Sequence, residues 1–326
     1  MFPRSGAILC FHSITTPSMP AAGSAHLPLA QVTGCLRMAR RVGEIVPLRD
    51  LLQRHRQGRS TAGLISVTFD DAYASLGLEF RQFIEREAVQ VTVFVVTGAA
   101  ARGEAFWWDR VDDLFPRVER GRWREFEARC GLPEEYRRLQ PSEHGPLRPL
   151  RQWILTTSAG RGSAMLDSSL SALEEETHSR THHRAMTFDE LDELTATGLV
   201  DVGVHTVSHP VLPLIGDAEI RNEITAANQI VRERFAAAVP VLAVPYGLYD
   251  KRTLRIAAEA GMAASLTLDS RTVGRELPEG ALPRFCATTA DRPWRLGLRL
   301  LEPRSRLRGL RGPQPLAYPD LPSAAT

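Results

Sequence analysis

Gly63-Leu64-Ile65-Ser66-Val67-Thr68-Phe69-Asp70-Asp71 is a largely apolar run that ends on two adjacent carboxylates. A short run of this kind reads as a strand buried on both faces, as in a parallel sheet. Leu199-Val200-Asp201-Val202-Gly203-Val204 has the same character and leads into His205-Thr206-Val207-Ser208-His209. Each strand carries polar residues to its carboxyl end, which is where open and barrel-closed α/β sheets place their sites. Two carboxylates and two histidines supply three oxygen and nitrogen ligands to a divalent ion and leave one carboxylate as a base, the division of labour that metal-assisted amide hydrolysis needs. Either half alone is weak, because an Asp-Asp pair commonly starts a helix or lies in a solvated turn; the combination carries the reading. The four-residue spacing predicts both imidazoles on one side of a helical turn.

Outward from these strands the pattern repeats. Ala7 to Phe11, Val89 to Val96, Val239 to Val244, Ala263 to Leu268 and Leu282 to Ala287 read as further strands. Residues 30 to 42, 217 to 237 and 250 to 260 are helix-like, and Thr187-Phe188-Asp189-Glu190 reads as a capping box opening a short helix that ends at Gly198. Alternating βα units imply an α/β protein with a parallel sheet, open or closed as a barrel. Residues 102 to 186 interrupt it with aromatics, Arg and Glu, and predict a mostly helical insertion on the rim within one domain spanning 1 to 302. The Arg- and Pro-rich stretch 303 to 326 reads as a tail.

At 326 residues, with 43% apolar and 24% charged content, the chain can bury one large core. A net charge of +2 does not call for nucleic acid. Cys10, Cys35, Cys130 and Cys286 are scattered with no C-x-x-C spacing, so neither a zinc knuckle nor a disulfide framework is predicted. With no recognisable signal segment or long apolar span, a reducing, cytoplasmic setting is the expectation.

Four short motifs now come together: Thr68-Phe69-Asp70-Asp71, His205-Thr206-Val207-Ser208-His209-Pro210, Val244-Pro245-Tyr246-Gly247 and Leu9-Cys10-Phe11-His12. In these the chain resembles the polysaccharide deacetylase family, the NodB-homology metal-dependent deacetylases, over about residues 6 to 101 and 187 to 290, in a circularly permuted form. The resemblance implies a distorted (β/α)7-type barrel. It implies Asp70 as catalytic base, Asp71, His205 and His209 as metal ligands, and the Tyr246 backbone N–H as an oxyanion donor. It implies one divalent ion. Zinc is the default, and cobalt, nickel, manganese or iron also fit such a donor set. The implied substrate is an N-acetylated carbohydrate in a glycan, a lipid-linked sugar or a glycoside, with acetate released.

Several positions depart from that pattern. Ala72 stands where the family usually has Gly, which predicts a turn without left-handed freedom. Ala243 replaces the Arg that orients the base, and Arg284 in Leu282-Pro283-Arg284 is the candidate substitute. No histidine follows His209 to act as the late-strand general acid; in the permuted form that strand opens the chain, so His12 is the candidate acid, or else a strand-end histidine with a structural role. Trp107 and Trp108 read equally as sugar-stacking residues or as anchors of the insertion. His178, His182 and His183 read as a solvated loop. The basic, apolar stretch 292 to 301 either rests peripherally on an anionic membrane or covers the barrel. Two other functions stay open: hydrolysis of another non-peptide C–N bond, as in a cyclic ureide, and metal or carbohydrate binding without catalysis.

Overall fold

The structure, a computed structural model, describes residues 3, 5–15, 25–134, 148–161, 164–177, 183–274 and 280–301. Its strands are β1 (Ala7–Phe11), β2 (Ser13–Thr15), β3 (His26–Pro28), β4 (Glu44–Ile45), β5 (Leu64–Phe69), β6 (Val91–Val95), β7 (Val200–Val204), β8 (Ala238–Ala243), β9 (Ala264–Thr267), β10 (Ala281–Pro283) and β11 (Phe285–Cys286). The main sheet runs β10-β9-β8-β7-β6-β5-β1-β11, with β4 also on β5 and β2 paired separately with β3. The expected strands lie within one or two residues of these bounds. Leu282 to Ala287 is the exception, because it makes two pairings instead of one.

That difference closes the sheet. Ala281–Pro283 pairs in parallel with β9, and after Arg284 the same segment pairs in parallel with β1 through Phe285 and Cys286. The two ends of the sheet are therefore one continuous stretch of chain. With β10 and β11 taken as one strand, the main path holds seven, β1, β5, β6, β7, β8, β9 and the closing segment, a nearly closed (β/α) barrel.

Alternation of side chains along each strand sorts the apolar residues into two layers. Leu9, Val67, Val93, Val202 and Val204 face outward and form one cluster with Leu36 of helix Leu29–Val42, Ile224 and Val231 of helix Asp217–Arg234, and Ile256 of helix Lys251–Glu259. Ile8, Phe94, Val241 and Leu266 form another with Leu48, Leu51 and Leu52 of helix Leu48–Arg56, which supplies apolar side chains to the barrel interior. Gly203 makes room there for Phe94: a Cβ on it would overlap the Phe94 ring. The helix Phe188–Thr195 opens on the expected capping box, Thr187 with Glu190.

Helices Trp107–Leu114, Arg120–Arg129, Arg148–Thr157 and Ala164–Thr177 occupy the interruption. They bury Val111, Trp123, Phe126, Leu150, Ile154 and Leu170 in an apolar cluster of their own. Polar ties bind this unit to the barrel. Val211 N–H and Tyr246 Oη donate to the Ala159 and Gly160 carbonyls at 2.6 and 3.0 Å, while Asp109 accepts from Tyr73 Oη at 2.7 Å and pairs with His26 Nε2 at 2.7 Å. The stretch 292 to 301 contains helix Pro293–Leu301, with Leu296 and Leu300 in the main cluster and Trp294 and Leu298 exposed. Among the described residues no helix is long and apolar enough to cross a membrane. Residues 303 to 326, His178 and His182 lie outside the described residues.

Gly203→Ala should therefore overpack the barrel interior and destabilise the chain by about 1–3 kcal/mol. The test is the urea midpoint at unchanged m-value; a midpoint equal to that of the native chain would refute the packing role assigned to Gly203.

Candidate active site

The polar ends of β1, β5, β7 and β8 and the bend of the closing segment meet at one mouth of the barrel. Asp71, His205 and His209 are buried, and one ligand atom from each lies within 4.8 Å of the others. Asp71 Oδ1 stands 3.4 Å from His205 Nε2 and 3.5 Å from His209 Nε2. These separations are long for strong hydrogen bonds. They match the roughly 3.4 Å spacing of ligands placed about 2.1 Å from a tetrahedral ion. His205 Nδ1 lies 2.8 Å from the Ala243 carbonyl, an acceptor only, so Nδ1 carries a proton and Nε2 is the atom that faces Asp71. Burial and then the neighbouring His205 push His209 down to about 3, leaving it neutral. Burial opposes the Asp71 charge, but the facing His205 imidazole leads the contacts that hold its carboxyl below the usual carboxylate range. A buried carboxylate and two imidazoles so arranged fit a divalent cation.

Asp70 points elsewhere. Arg284 Nη1 and Nη2 donate to its Oδ1 and Oδ2 at 2.6 and 2.7 Å, a bidentate pair with both side chains buried. Arg284 also donates to the Thr68 hydroxyl and the Thr267 carbonyl, each at 3.3 Å, and its Cζ lies 5.7 Å from the Phe94 ring centroid. Burial works against the Asp70 charge, yet Arg284 and then His205 hold its carboxyl well below the usual range. The position left by Ala243 is thus taken up twice, by the Arg284 guanidinium on Asp70 and by the Ala243 carbonyl on His205.

Two local expectations are corrected. Ala72 adopts left-handed backbone after all, at φ 50°, following Asp71 at φ 66°. The His205 to His209 segment is not a helical turn: Thr206 and His209 have φ of 68° and 56°. It is an irregular loop fastened from two sides. His209 N–H donates to Thr206 Oγ1 at 3.0 Å, and Glu223 accepts from the backbone N–H groups of Val207 and Ser208, both at 2.9 Å, and from Ser208 Oγ at 2.6 Å. With Tyr246 at φ 57°, five of the seven non-glycine left-handed residues among those described sit at this mouth. Each costs about 1–3 kcal/mol, and such strain gathers where surrounding contacts over-determine the backbone at a site.

His12 lies at the end of β1, half-buried. Burial alone would lower its pKa, but Cys286 and the two aspartates raise it to about 9. The two tryptophans divide the roles read from the sequence. Trp107 is buried and its Nε1 donates to the Gly160 carbonyl at 2.8 Å, an anchor of the insertion. Trp108 is half-buried, with its ring 5.0 Å from His209 and 6.0 Å from Tyr246. His183 is buried against His26 at 4.1 Å between rings, not solvated. Three features escaped the sequence: Glu223, legible only once the helix Asp217–Arg234 packs beside the loop; the Tyr73–Asp109–His26 network; and the gathering of Cys10, His12 and Cys286. Contacts at sequence separations of 15 to 276 residues leave no local periodicity to read.

Residues 171–265 match the polysaccharide deacetylase family. Solved structures are similar along most of the chain. The deacetylase PplD of Streptococcus pyogenes, in complex with acetate, is 16% identical over 92% of this chain and 100% of its own, with a TM-score of 0.59. IcaB of Ammonifex degensii is 16% identical over 92% of this chain and 99% of its own, also at 0.59. The BpsB deacetylase domain of Bordetella bronchiseptica is 14% identical over 87% and 96%, at 0.51. No curated protein matches the chain in sequence.

Replacing Arg284 by Met should strand the buried Asp70 charge and cost about 3–5 kcal/mol at neutral pH. Because the folded-state pKa of Asp70 is depressed, the pair's contribution is present above the unfolded value of about 3.9 and is lost as pH falls towards the folded one, so the deficit should shrink in acid. Denaturant midpoints at pH 7 and pH 3 check both parts. A His205→Ala, His209→Ala double variant should keep the fold and lose one bound divalent ion by equilibrium dialysis; full retention would remove these residues from the ligand set.

Proposed function

We propose that the chain carries a polysaccharide deacetylase domain of the NodB type and is a metal-dependent hydrolase that removes the N-acetyl group of an amino sugar. The observation that carries the reading is the convergence of Asp71, His205 and His209 at ligand spacing, beside an Arg-paired Asp70 and with His12 at the end of β1. A divalent ion held by the three ligands supplies Lewis-acid polarisation of the amide carbonyl and acidifies water; zinc is the leading candidate for this donor set.

The protein's own groups divide the remaining work. Arg284 keeps Asp70 ionised and fixes its plane, and each carboxylate oxygen retains a second lone pair to take a proton from the attacking water. His12, protonated below about pH 9, gives a proton to the leaving amine. The Tyr246 N–H is the candidate donor to the carbonyl oxygen as negative charge grows there. Trp108 and Tyr246, half-buried beside His209, offer aromatic rings that suit the apolar face of a sugar ring, with Phe106 stacked beneath Trp108 as its support.

Acetate release by metal-reconstituted protein, compared across chitooligosaccharides, nucleotide sugars and lipid-linked acetamido sugars, is the direct test. Release from none of them in the presence of each candidate metal would reject the reading. Asp70→Asn should keep the metal and lose nearly all turnover. His12→Ala should lose roughly 10²-fold or more in kcat on an amide but much less on an activated acetyl ester, whose leaving group needs no proton. Equal losses on amide and ester would give His12 a supporting role instead.

A further inference from the structure

Beside the three-ligand site lies a donor set of different chemistry. Cys10 and Cys286 are register partners across the β1–β11 seam, so their side chains leave the same face of the sheet. His12 follows Cys10 by two positions and shares that face. One ligand atom from each of Cys10, His12 and Cys286 lies within 4.8 Å of the others. Both cysteines are free thiols; Cys10 is fully buried, while Cys286 and His12 are half-buried and reachable from the barrel mouth. His12 Nδ1 is buried and has no hydrogen-bond partner among the described residues.

We infer that Cys10, His12 and Cys286 form a second cation site, selective for a thiophilic ion such as Zn²⁺ and distinct from the carboxylate–imidazole site. Thiolates favour soft and borderline cations, and two Cys with one His leaving a fourth position open is a donor set that zinc accepts. Binding breaks the two S–H bonds and one N–H bond of the His12 imidazolium, releases these three protons to solvent and forms two metal–sulfur bonds and one metal–nitrogen bond, with no change of oxidation state. The ion's two positive charges cancel the two thiolates, so the carboxylate of Asp70, 3.5 Å from Cys10 Sγ, meets no uncompensated anion.

A functional consequence follows, and it rests on His12 being the proton donor proposed above. A coordinated imidazole has no proton to give. An ion in the carboxylate–imidazole site then activates the enzyme, and one in the thiolate site switches it off by withdrawing His12, which makes the second site a zinc-responsive brake built into the catalytic mouth.

The test uses the full chain under reductant, titrated with Co²⁺, with bound metal measured by elemental analysis and thiolate-to-metal charge transfer followed in the near ultraviolet. Expected are two ions per chain and a sulfur band; Cys286→Ser and Cys10→Ser should each lose the band and one ion, and the His205→Ala, His209→Ala variant should keep the band. Retention of the other ion by the serine variants shows that they have folded. A single ion per chain with the thiols still titratable, a band that survives Cys286→Ser, or a Cys10–Cys286 disulfide in place of metal uptake would overturn the site. These readouts do not depend on turnover and so stand or fall apart from the deacetylase reading. With both sites filled by Zn²⁺, kcat on an amide substrate should stand roughly 10²-fold below that of Zn²⁺-loaded Cys286→Ser; two bound ions with turnover equal to that variant's would overturn the inhibitory role.

Discussion

The salt bridge between Arg284 and Asp70 is the constraint around which the rest is arranged. A guanidinium and a carboxylate enclosed in a barrel lose several kcal/mol of hydration each, and only near-ideal geometry with further hydrogen bonds returns it. Both conditions are met, by the bidentate contact and by Thr68, Thr267 and the Phe94 face around the arginine. Arg284 occupies the single residue at which the closing segment stops pairing with β9 and starts pairing with β1. The residue that holds the proposed base is therefore also the residue at which the two edges of the sheet meet, which couples closure of the barrel to the state of its mouth.

Two successive aspartates serve unlike partners because the backbone changes hand between them. The extended conformation of β5 carries Asp70 inward to the arginine, and left-handed backbone at Asp71 and Ala72 swings the next carboxylate towards the imidazoles. The same economy governs the histidine loop, where Glu223 gathers three donors from a helix that contributes no ligand. Strain at the mouth is held by these outer contacts, so the donor atoms are spaced before any ligand arrives.

The barrel was largely legible in the sequence because its strands are continuous apolar runs and its helices carry apolar stripes, with caps at Thr187 and Asp250, signals that are local. The ligands and Asp70 were legible as strand-end residues, and Arg284 as a candidate partner through the missing arginine at Ala243. What was not legible depends on tertiary approach. The spacing of His205 and His209 suits a helical turn and an irregular loop alike, and only the carboxylate of Glu223 decides between them. Ala72 looked incompatible with left-handed backbone by propensity, yet tertiary contacts outweigh a penalty of about 1–2 kcal/mol. Cys10 and Cys286 carry no motif; they are neighbours because a strand from each end of the described barrel shares one seam.

The carbonyl of Gly160 accepts from Trp107 within the insertion and from the Tyr246 hydroxyl of the barrel. Its glycine has φ of 79°, and a Cβ there would press on the Tyr246 ring, so the joint tolerates almost no other residue. The insertion has its own apolar cluster and meets this face of the barrel through the Gly160 joint, the Ala159 carbonyl, Arg161 on Ser208 and Glu223, Trp108 beside His209, and the Asp109 network, so only the parts of its helices away from these contacts can drift in sequence. Such a seam makes the unit a cassette: what lies beyond it can be reworked without renegotiating the barrel beneath.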